Sequence, residues 1–142
     1  MKPRGAAASN AWYFARAMPP SIHHLAVLVQ DLARAEAFYG GVLGLPVKAR
    51  HADADDAPRS VWLELGGGAF LAVELATGAA RGAPGAPSWH CVALAISPAE
   101  REPTRARLAA AGHPVERETS FTLYARDPDG NLVAFSHHPI SA

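Results

Sequence analysis

The chain has 142 residues, of which 49% are apolar and 18% are charged, and this composition excludes a disordered or fibrous protein. Thirteen Lys and Arg residues balance thirteen Asp and Glu residues, so the chain lacks the positive charge that nucleic acids or anionic membranes attract. The single cysteine, Cys91, excludes a disulfide within the chain, and no apolar run approaches the roughly 20 residues of a membrane span. These features predict a cytoplasmic protein with a small-molecule partner.

The first 20 residues differ from the rest and are predicted to form a flexible N-terminal arm. Residues 1–17 are basic, contain no acid and include the aromatic cluster Trp12, Tyr13 and Phe14. They have no continuous apolar run of about 7 to 15 residues, which a secretory signal needs. One use of such an arm is contact between its aromatic residues and a partner subunit.

The next segment, residues 21–76, predicts a first structural module. It opens with the strand-like run HHLAVLV. Asp31 is placed to cap a helix, because apolar residues follow it at helical spacing, and Gly44 and Pro46 are typical of a helix end. Alternating apolar residues then predict strands at 61–65 and 70–75. The predicted order is one strand, one helix and three strands.

Residues 89–139 repeat this order and predict a second module. The run WHCVALAIS is followed by a helix start at Ser97-Pro98, and the turn DPDGN at 127–131 predicts a hairpin. Residues 77–88 are mostly Gly, Ala and Pro and predict a linker between the modules. The two βαβββ modules together predict one α+β domain over residues 21–140.

Three side chains in these modules have the chemistry of a metal site. His24 and His90 occupy the same place in the two repeats, and Glu74 is the only carboxylate in the run AFLAVELA. A carboxylate in such an apolar run is costly unless it is paired or binds a metal. Two imidazoles and one carboxylate form a divalent-metal set that leaves positions open for water and substrate. A lone strand histidine is more often structural, but the repeat equivalence of His24 and His90 favours a metal site.

Two stretches resemble signatures of a known family: HLAVLVQDLARAEAFYGGVLGLPV in module one and YARDPDGNLVAF in module two. The family is the vicinal oxygen chelate superfamily, which includes glyoxalase I, methylmalonyl-CoA epimerase, extradiol dioxygenases, fosfomycin-resistance transferases and bleomycin-resistance proteins. The resemblance covers nearly all of residues 22–139. It implies a homodimer and two βαβββ modules that form a curled mixed sheet around a central cavity. It also implies metal ligands at His24, Glu74, His90 and the position of Ala134.

Ala134 departs from the family pattern, because glyoxalase-like members carry a glutamate there. An alanine cannot bind a metal, so the four-ligand set of glyoxalase I is incomplete. The two-histidine, one-glutamate triad of extradiol dioxygenases and fosfomycin transferases also places its glutamate at this position. The chain therefore matches none of these ligand sets in full, and Glu74 is left as the catalytic base beside the metal.

Other residues are weaker candidates for the site. Arg59, Trp62 and Tyr124 are the predicted substrate-binding residues, because the two aromatics lie on strands that border the family's pocket and Arg59 can attract an anion. His138 lies roughly 13 Å along the strand from Ala134, too far to replace the missing ligand unless the chain bends back. His23 is expected to face away from His24, and His51 and His113 are expected to lie by loops.

Two functions follow from these observations. The first is a metal-dependent enzyme of the glyoxalase (isomerase or lyase) or ring-cleaving dioxygenase type, in which one divalent ion (Fe, Mn, Co, Ni or Zn) chelates vicinal oxygens of the substrate. The second is a metal-free protein that binds and sequesters a drug or metabolite, as bleomycin-resistance proteins do. The retained His24, Glu74 and His90 favour the enzyme, and Ala134 favours the binding protein.

Overall fold

A computed structural model describes residues 21–83 and 85–140, and the predicted arm lies outside the described residues. Module one contains β1 (His24–Val29), α1 (Leu32–Glu36), a π-helical segment (Ala37–Val42), β2 (Val47–Ala52), β3 (Pro58–Gly66) and β4 (Ala69–Leu75). Module two contains β5 (Val92–Ala95), a 3-10 turn (Pro98–Glu100), α2 (Arg101–Ala110), β6 (Arg117–Glu118), β7 (Thr122–Arg126) and β8 (Leu132–Ser136). The predicted order of elements is confirmed in both modules.

Each module forms one four-stranded mixed sheet. The strand order is β1-β4-β3-β2 in sheet 1 and β5-β8-β7-β6 in sheet 2. In each sheet the first and last strands of the module are parallel neighbours, and the other pairs are antiparallel. The α+β class and the duplicated module are therefore confirmed. β1 and β5 are edge strands of separate sheets, so within the described chain the sheets do not close around the expected cavity.

The first helix begins as the sequence predicts and then changes its hydrogen-bond pattern. The Asp31 carboxylate accepts a hydrogen bond from the Arg34 backbone N–H at 3.0 Å, which caps the first turn. Further along, the Leu43 N–H donates to the Phe38 carbonyl, a π-type bond that widens the helix. Gly44 ends the helix in the left-handed region at φ +74°. No helix among the described residues has both the length and the apolar character to cross a bilayer.

One hydrophobic core joins the two modules. It combines residues from β1, α1, the π-helical segment, β3 and β4 of module one with residues from α2, β7 and β8 of module two, including Phe38, Leu63, Leu108, Leu123 and Val133, which are all 0–1% exposed. Each sheet therefore presents one face to this shared core. The opposite face of each sheet lies outside it, which explains why the sheets do not enclose a cavity together.

The DPDGN turn between β7 and β8 holds the modules together with polar contacts. The Tyr39 hydroxyl donates to the buried Asp127 carboxylate at 2.8 Å, and the Asp129 and Asn131 backbone N–H groups donate to the same carboxylate. The Asn131 amide also donates to the Leu28 carbonyl at 3.2 Å. Burial, reinforced by Asp127, raises the pKa of Tyr39 well above its ordinary value, so the phenol stays protonated.

Candidate functional site

The face of sheet 1 that lies outside the core carries most of the predicted site residues. Successive strand side chains point to opposite faces. On β4, Leu71 and Val73 belong to the core, so Phe70 and Glu74 lie on the opposite face. We call this the open face of sheet 1. β1 runs beside β4 with His24 opposite Phe70, so His24 lies on the open face as well.

A row of stacked rings covers part of this open face. The His24 ring lies parallel to the Phe70 ring at 4.9 Å, and the Phe70 ring stacks on Trp62 at 4.4 Å. Trp62 in turn contacts His51 at 4.3 Å. These neighbours leave Phe70 only 5% exposed although it lies outside the shared core. Because His24 and Trp62 cover the two faces of Phe70, the rings that a ligand can contact are Trp62 and the exposed His24 and His51.

His24 and Glu74 share the open face but lie apart along it. His24 is opposite Phe70, and Glu74 comes four residues later on β4, about 13 Å along the strand direction. The Glu74 side chain is partly exposed and forms no ion pair or hydrogen bond with any described residue. Its carboxylate is therefore available to a ligand, a metal or another chain.

His23 lies beside His24, which corrects the expectation that it faces away. Its Nδ1 is 2.8 Å from the Nδ1 of His24, and its ring contacts Phe70 edge-on at 5.5 Å. β1 begins at His24, so His23 precedes the strand and strand alternation does not fix its direction. The pair leaves the Nε2 atom of His24 as the ring nitrogen not engaged by His23.

The open face of sheet 2 carries a different set of side chains. On β7, Leu123 and Ala125 belong to the core, so Tyr124 lies on the opposite face. Tyr124 is opposite Ala134 on β8 and opposite Arg117 on β6. The Arg117 guanidinium lies over the Tyr124 ring, 4.0 Å from its centre.

His90 lies next to Arg117 rather than beside the other predicted ligands. β5 begins at Val92, so His90 lies two residues before its strand, whereas His24 is the first residue of β1. The two histidines are equivalent in the sequence but not in strand position. The His90 Nε2 atom is 3.5 Å from the Arg117 Nη2 atom, a long contact for a hydrogen bond.

Within a single chain, the described residues provide no complete ligand set for a metal ion. No three His, Cys, Asp or Glu side chains there lie close enough together to hold one. The donor chemistry of His24, Glu74 and His90 suits a divalent ion, and all three are at least partly exposed. A site that uses all three would therefore need donors from more than one chain.

The remaining predicted residues divide between the site and the rest of the fold. Trp62 and Tyr124 lie on the two open faces, whereas Arg59 has the same strand parity as the core residue Val61 and lies on the other side of sheet 1. His51 belongs to β2 and not to a loop. The ring of His137 contacts Phe121, as does that of His138.

Sequence reasoning missed Arg117, which is the charged residue of the sheet 2 face closest to His90. β6 has only two residues, too few for a periodic signal, and Arg117 becomes significant only through its register opposite Tyr124.

A surface groove of about 640 Å³ lies elsewhere, along α1 and the turn that follows it. None of the candidate residues lines that groove.

Comparison with known proteins agrees with this fold. The chain superposes with a TM-score of 0.63 on lactoylglutathione lyase from Agrobacterium tumefaciens, with 24% identity over 83% of this chain and 93% of that one. It superposes with a TM-score of 0.69 on a mutant of the fosfomycin resistance protein FosX from Listeria monocytogenes in complex with Mn(II) and 1S,2S-dihydroxypropylphosphonic acid, with 16% identity over 87% and 96% of the chains. For a glyoxalase/dioxygenase from Nostoc punctiforme, the TM-score is 0.67, with 18% identity over 99% and 100%.

These structural matches show a common fold at low sequence identity. No curated protein sequence is significantly similar to the chain. The family profile matches residues 21–135, which include both modules, both open faces and the turn that joins the modules. The chain therefore belongs to the Glyoxalase/Bleomycin resistance protein/Dioxygenase superfamily.

Proposed function

We propose that this protein is a metal-dependent small-molecule enzyme whose site forms between two copies of the chain. In this proposal His24 of one subunit and His90 of the other are ligands of one divalent ion. Glu74 lies about 13 Å along the strands from His24, too far to bind the same ion, and acts as a base on the same open face. The observation that carries the proposal is the division of the donors between two open faces that lie outside the shared core. A second copy is the simplest source of the missing donor, because homodimers with twofold symmetry are the commonest assemblies.

The chemistry of the open faces supports this assignment. Glu74 has no partner among the described residues, and a partly buried carboxylate without a partner is unfavourable. The FosX structure contains Mn(II), which supports a metal in this fold, although that protein is only 16% identical. Trp62, which is partly exposed, would contact the substrate, and Tyr124 would contact it from the other face.

The bound ion would act as a Lewis acid toward neighbouring oxygens of the substrate. Glu74 would accept and return a proton of the bound substrate, because Ala134 leaves no carboxylate on the strand next to Tyr124.

A metal-free binding protein is the second candidate, and two observations favour it. Ala134 removes a carboxylate from the sheet 2 face, and Arg117 places a permanent positive charge 3.5 Å from the His90 ring. Both changes make that face less favourable for a cation. In this alternative the two open faces bind an organic ligand directly.

Metal analysis of untagged protein distinguishes the two candidates. We expect one divalent ion per chain after loading with Mn, Fe, Co, Ni or Zn in turn, and loss of that ion in His24→Ala and His90→Ala, whereas Glu74→Gln should retain it. His51→Gln is the matched control, because His51 is an exposed histidine of the same sheet that is not a proposed ligand. Failure of the wild type to retain any of these ions would reject the enzyme proposal in favour of the binding protein.

Mixing two inactive variants tests whether the site lies between chains. His24→Ala and His90→Ala subunits are each expected to lose the metal alone. In a randomised mixture, half of the dimers carry one of each subunit, and one of their two sites has both histidines, so about one quarter of the sites should recover metal. A site within a single chain would recover none.

A further inference from the structure

We propose that Arg117, with Tyr124 beneath it, forms a binding subsite for an oxyanion of the substrate, a carboxylate or a phosphonate. The inference rests on the proposed function only in placing this subsite in the same small-molecule site. It applies equally to the metal-dependent enzyme and to the metal-free binding protein, because neither Arg117 nor Tyr124 is a proposed metal ligand.

The guanidinium of Arg117 is held in place but its hydrogen-bond donors are not used. It lies over the Tyr124 ring at 4.0 Å, and Tyr124 is its direct cross-strand neighbour. Its only polar contact among the described residues is the 3.5 Å approach to His90, which is long for a hydrogen bond. A guanidinium has five N–H donors in a planar fork that matches the two oxygens of a carboxylate. Arg117 is therefore oriented by stacking and free to bind an anion.

The acidic residues nearest to Arg117 in the sequence are held by other arginines. Glu116 accepts a hydrogen bond from Arg126 at 2.8 Å. Glu118 is bridged by Arg101 at 2.8 Å and by Arg105 at 2.5 Å. Neither glutamate forms an ion pair with Arg117, so neither neutralises its charge within the described part of the chain.

The residues beside Arg117 on the open face of sheet 2 also favour an anion. Ala134, opposite Tyr124 on the neighbouring strand, contributes no negative charge. The Tyr124 hydroxyl forms no hydrogen bond with any described residue and can donate to the same anion. Arg117 thus supplies a stacked cation, Tyr124 supplies an available hydroxyl, and Ala134 supplies no competing carboxylate.

Binding of simple probes to the full-length protein tests the subsite. Benzoate and phenylphosphonate supply the two oxyanions on the same ring, and benzamide is the neutral match for benzoate. Calorimetric titrations are performed on EDTA-treated protein and on metal-loaded protein. We expect one of the oxyanions to bind at least about tenfold more tightly than benzamide, because hydrogen bonds to charged groups are the stronger ones. The preferred oxyanion then identifies the substrate group.

Paired arginine variants assign the effect to Arg117. Arg117→Met, which keeps an apolar side chain over Tyr124, should weaken binding of the preferred oxyanion about tenfold or more and leave benzamide binding unchanged. Arg126→Met is the matched control, because Arg126 lies two residues from Tyr124 on the same strand but is paired with Glu116. Circular dichroism and the melting temperature confirm that both variants fold.

Three outcomes would overturn the proposal: no oxyanion binding by the wild type, equal binding of benzoate, phenylphosphonate and benzamide, or equal losses in Arg117→Met and Arg126→Met. Oxyanion binding to EDTA-treated wild type that Arg117→Met abolishes would support it even if no metal is ever retained. The failure of the metal proposal and the failure of this one are therefore distinguishable.

Discussion

Single residues decide what the open faces of the two sheets can bind. The sequence alone correctly placed Trp62 and Tyr124 on strands, and the register puts each of them outside the core. It did not indicate Arg117, since two-residue strands have no periodicity, or the position of His90 before β5. The side-chain neighbours of a residue on a sheet depend on strand register, which a sequence pattern does not specify to the residue.

Ala134→Glu is predicted to convert the anion subsite into an ion pair. The new carboxylate would lie opposite Tyr124, on the strand next to it, and would pair with Arg117. We expect oxyanion binding to weaken about tenfold, as measured by calorimetry with benzoate and phenylphosphonate. Ala134→Gln has the same size without the charge, so it should weaken oxyanion binding much less. Equal weakening by Glu and Gln would show that bulk, and not charge, governs this position.

Tyr39→Phe is predicted to destabilise the fold by about 1 to 3 kcal/mol, because it removes a buried hydrogen bond to a carboxylate. Chemical denaturation at pH 7 measures this loss. Asp127 keeps its backbone donors from Asp129 and Asn131, so the variant should still fold.

The same substitution should change how stability depends on pH. In the unfolded chain, Tyr39 ionises near its ordinary pKa of 10.0, whereas burial and Asp127 raise the pKa in the folded protein. The contribution of Tyr39 is therefore fully present below pH 10.0 and is lost as the pH rises above it. Denaturation measured from pH 8 upward should show a steeper alkaline loss for the wild type than for Tyr39→Phe. Parallel curves would contradict the assignment.

Individual elements were predicted well where their end signals are local. Asp31 caps α1, Gly44 ends the first helical segment in a left-handed conformation, and DPDGN forms the β7–β8 hairpin. The π-helical segment was not predicted, because its five-residue hydrogen bonds have no residue signature in this sequence. The contact of the hairpin turn with module one was not predicted either, because it joins residues about a hundred positions apart.

Gly130 is predicted to be essential for the geometry of that turn. Its φ of +80° lies in the left-handed region, which an alanine adopts only at a cost of about 1 to 2 kcal/mol. Gly130→Ala should lower the free energy of unfolding by about this amount in urea denaturation. Gly41→Ala is the matched control, because Gly41 lies in the helical segment without a positive φ and a β-carbon there would meet nothing within 4 Å. An unchanged free energy of unfolding in Gly130→Ala would show that the turn adopts another backbone conformation without cost.

The whole molecule is organised around a core that both modules share. Thirteen buried residues from the two modules form one cluster, and the polar contacts of the DPDGN turn add to it. The predicted linker at residues 77–88 did not indicate that the two modules share one hydrophobic core. Composition identifies a segment without helix or strand signals, but it says nothing about how the elements on either side pack together.

Unfolding is predicted to be a single cooperative transition for both modules. The shared core leaves neither module with enough buried apolar surface to remain folded alone. Far-UV circular dichroism and near-UV circular dichroism should therefore give the same midpoint in urea. Two separated midpoints, or a lower midpoint for the aromatic signal alone, would contradict a shared core.

The separation of the core from the open faces has a consequence for how such a chain can change over evolutionary time. The helices and inner strand faces form the shared core, while Trp62, Tyr124 and Arg117 lie outside it. Substitutions on the outer surfaces can therefore accumulate without unfolding the protein, and new ligand preferences can arise on an unchanged scaffold.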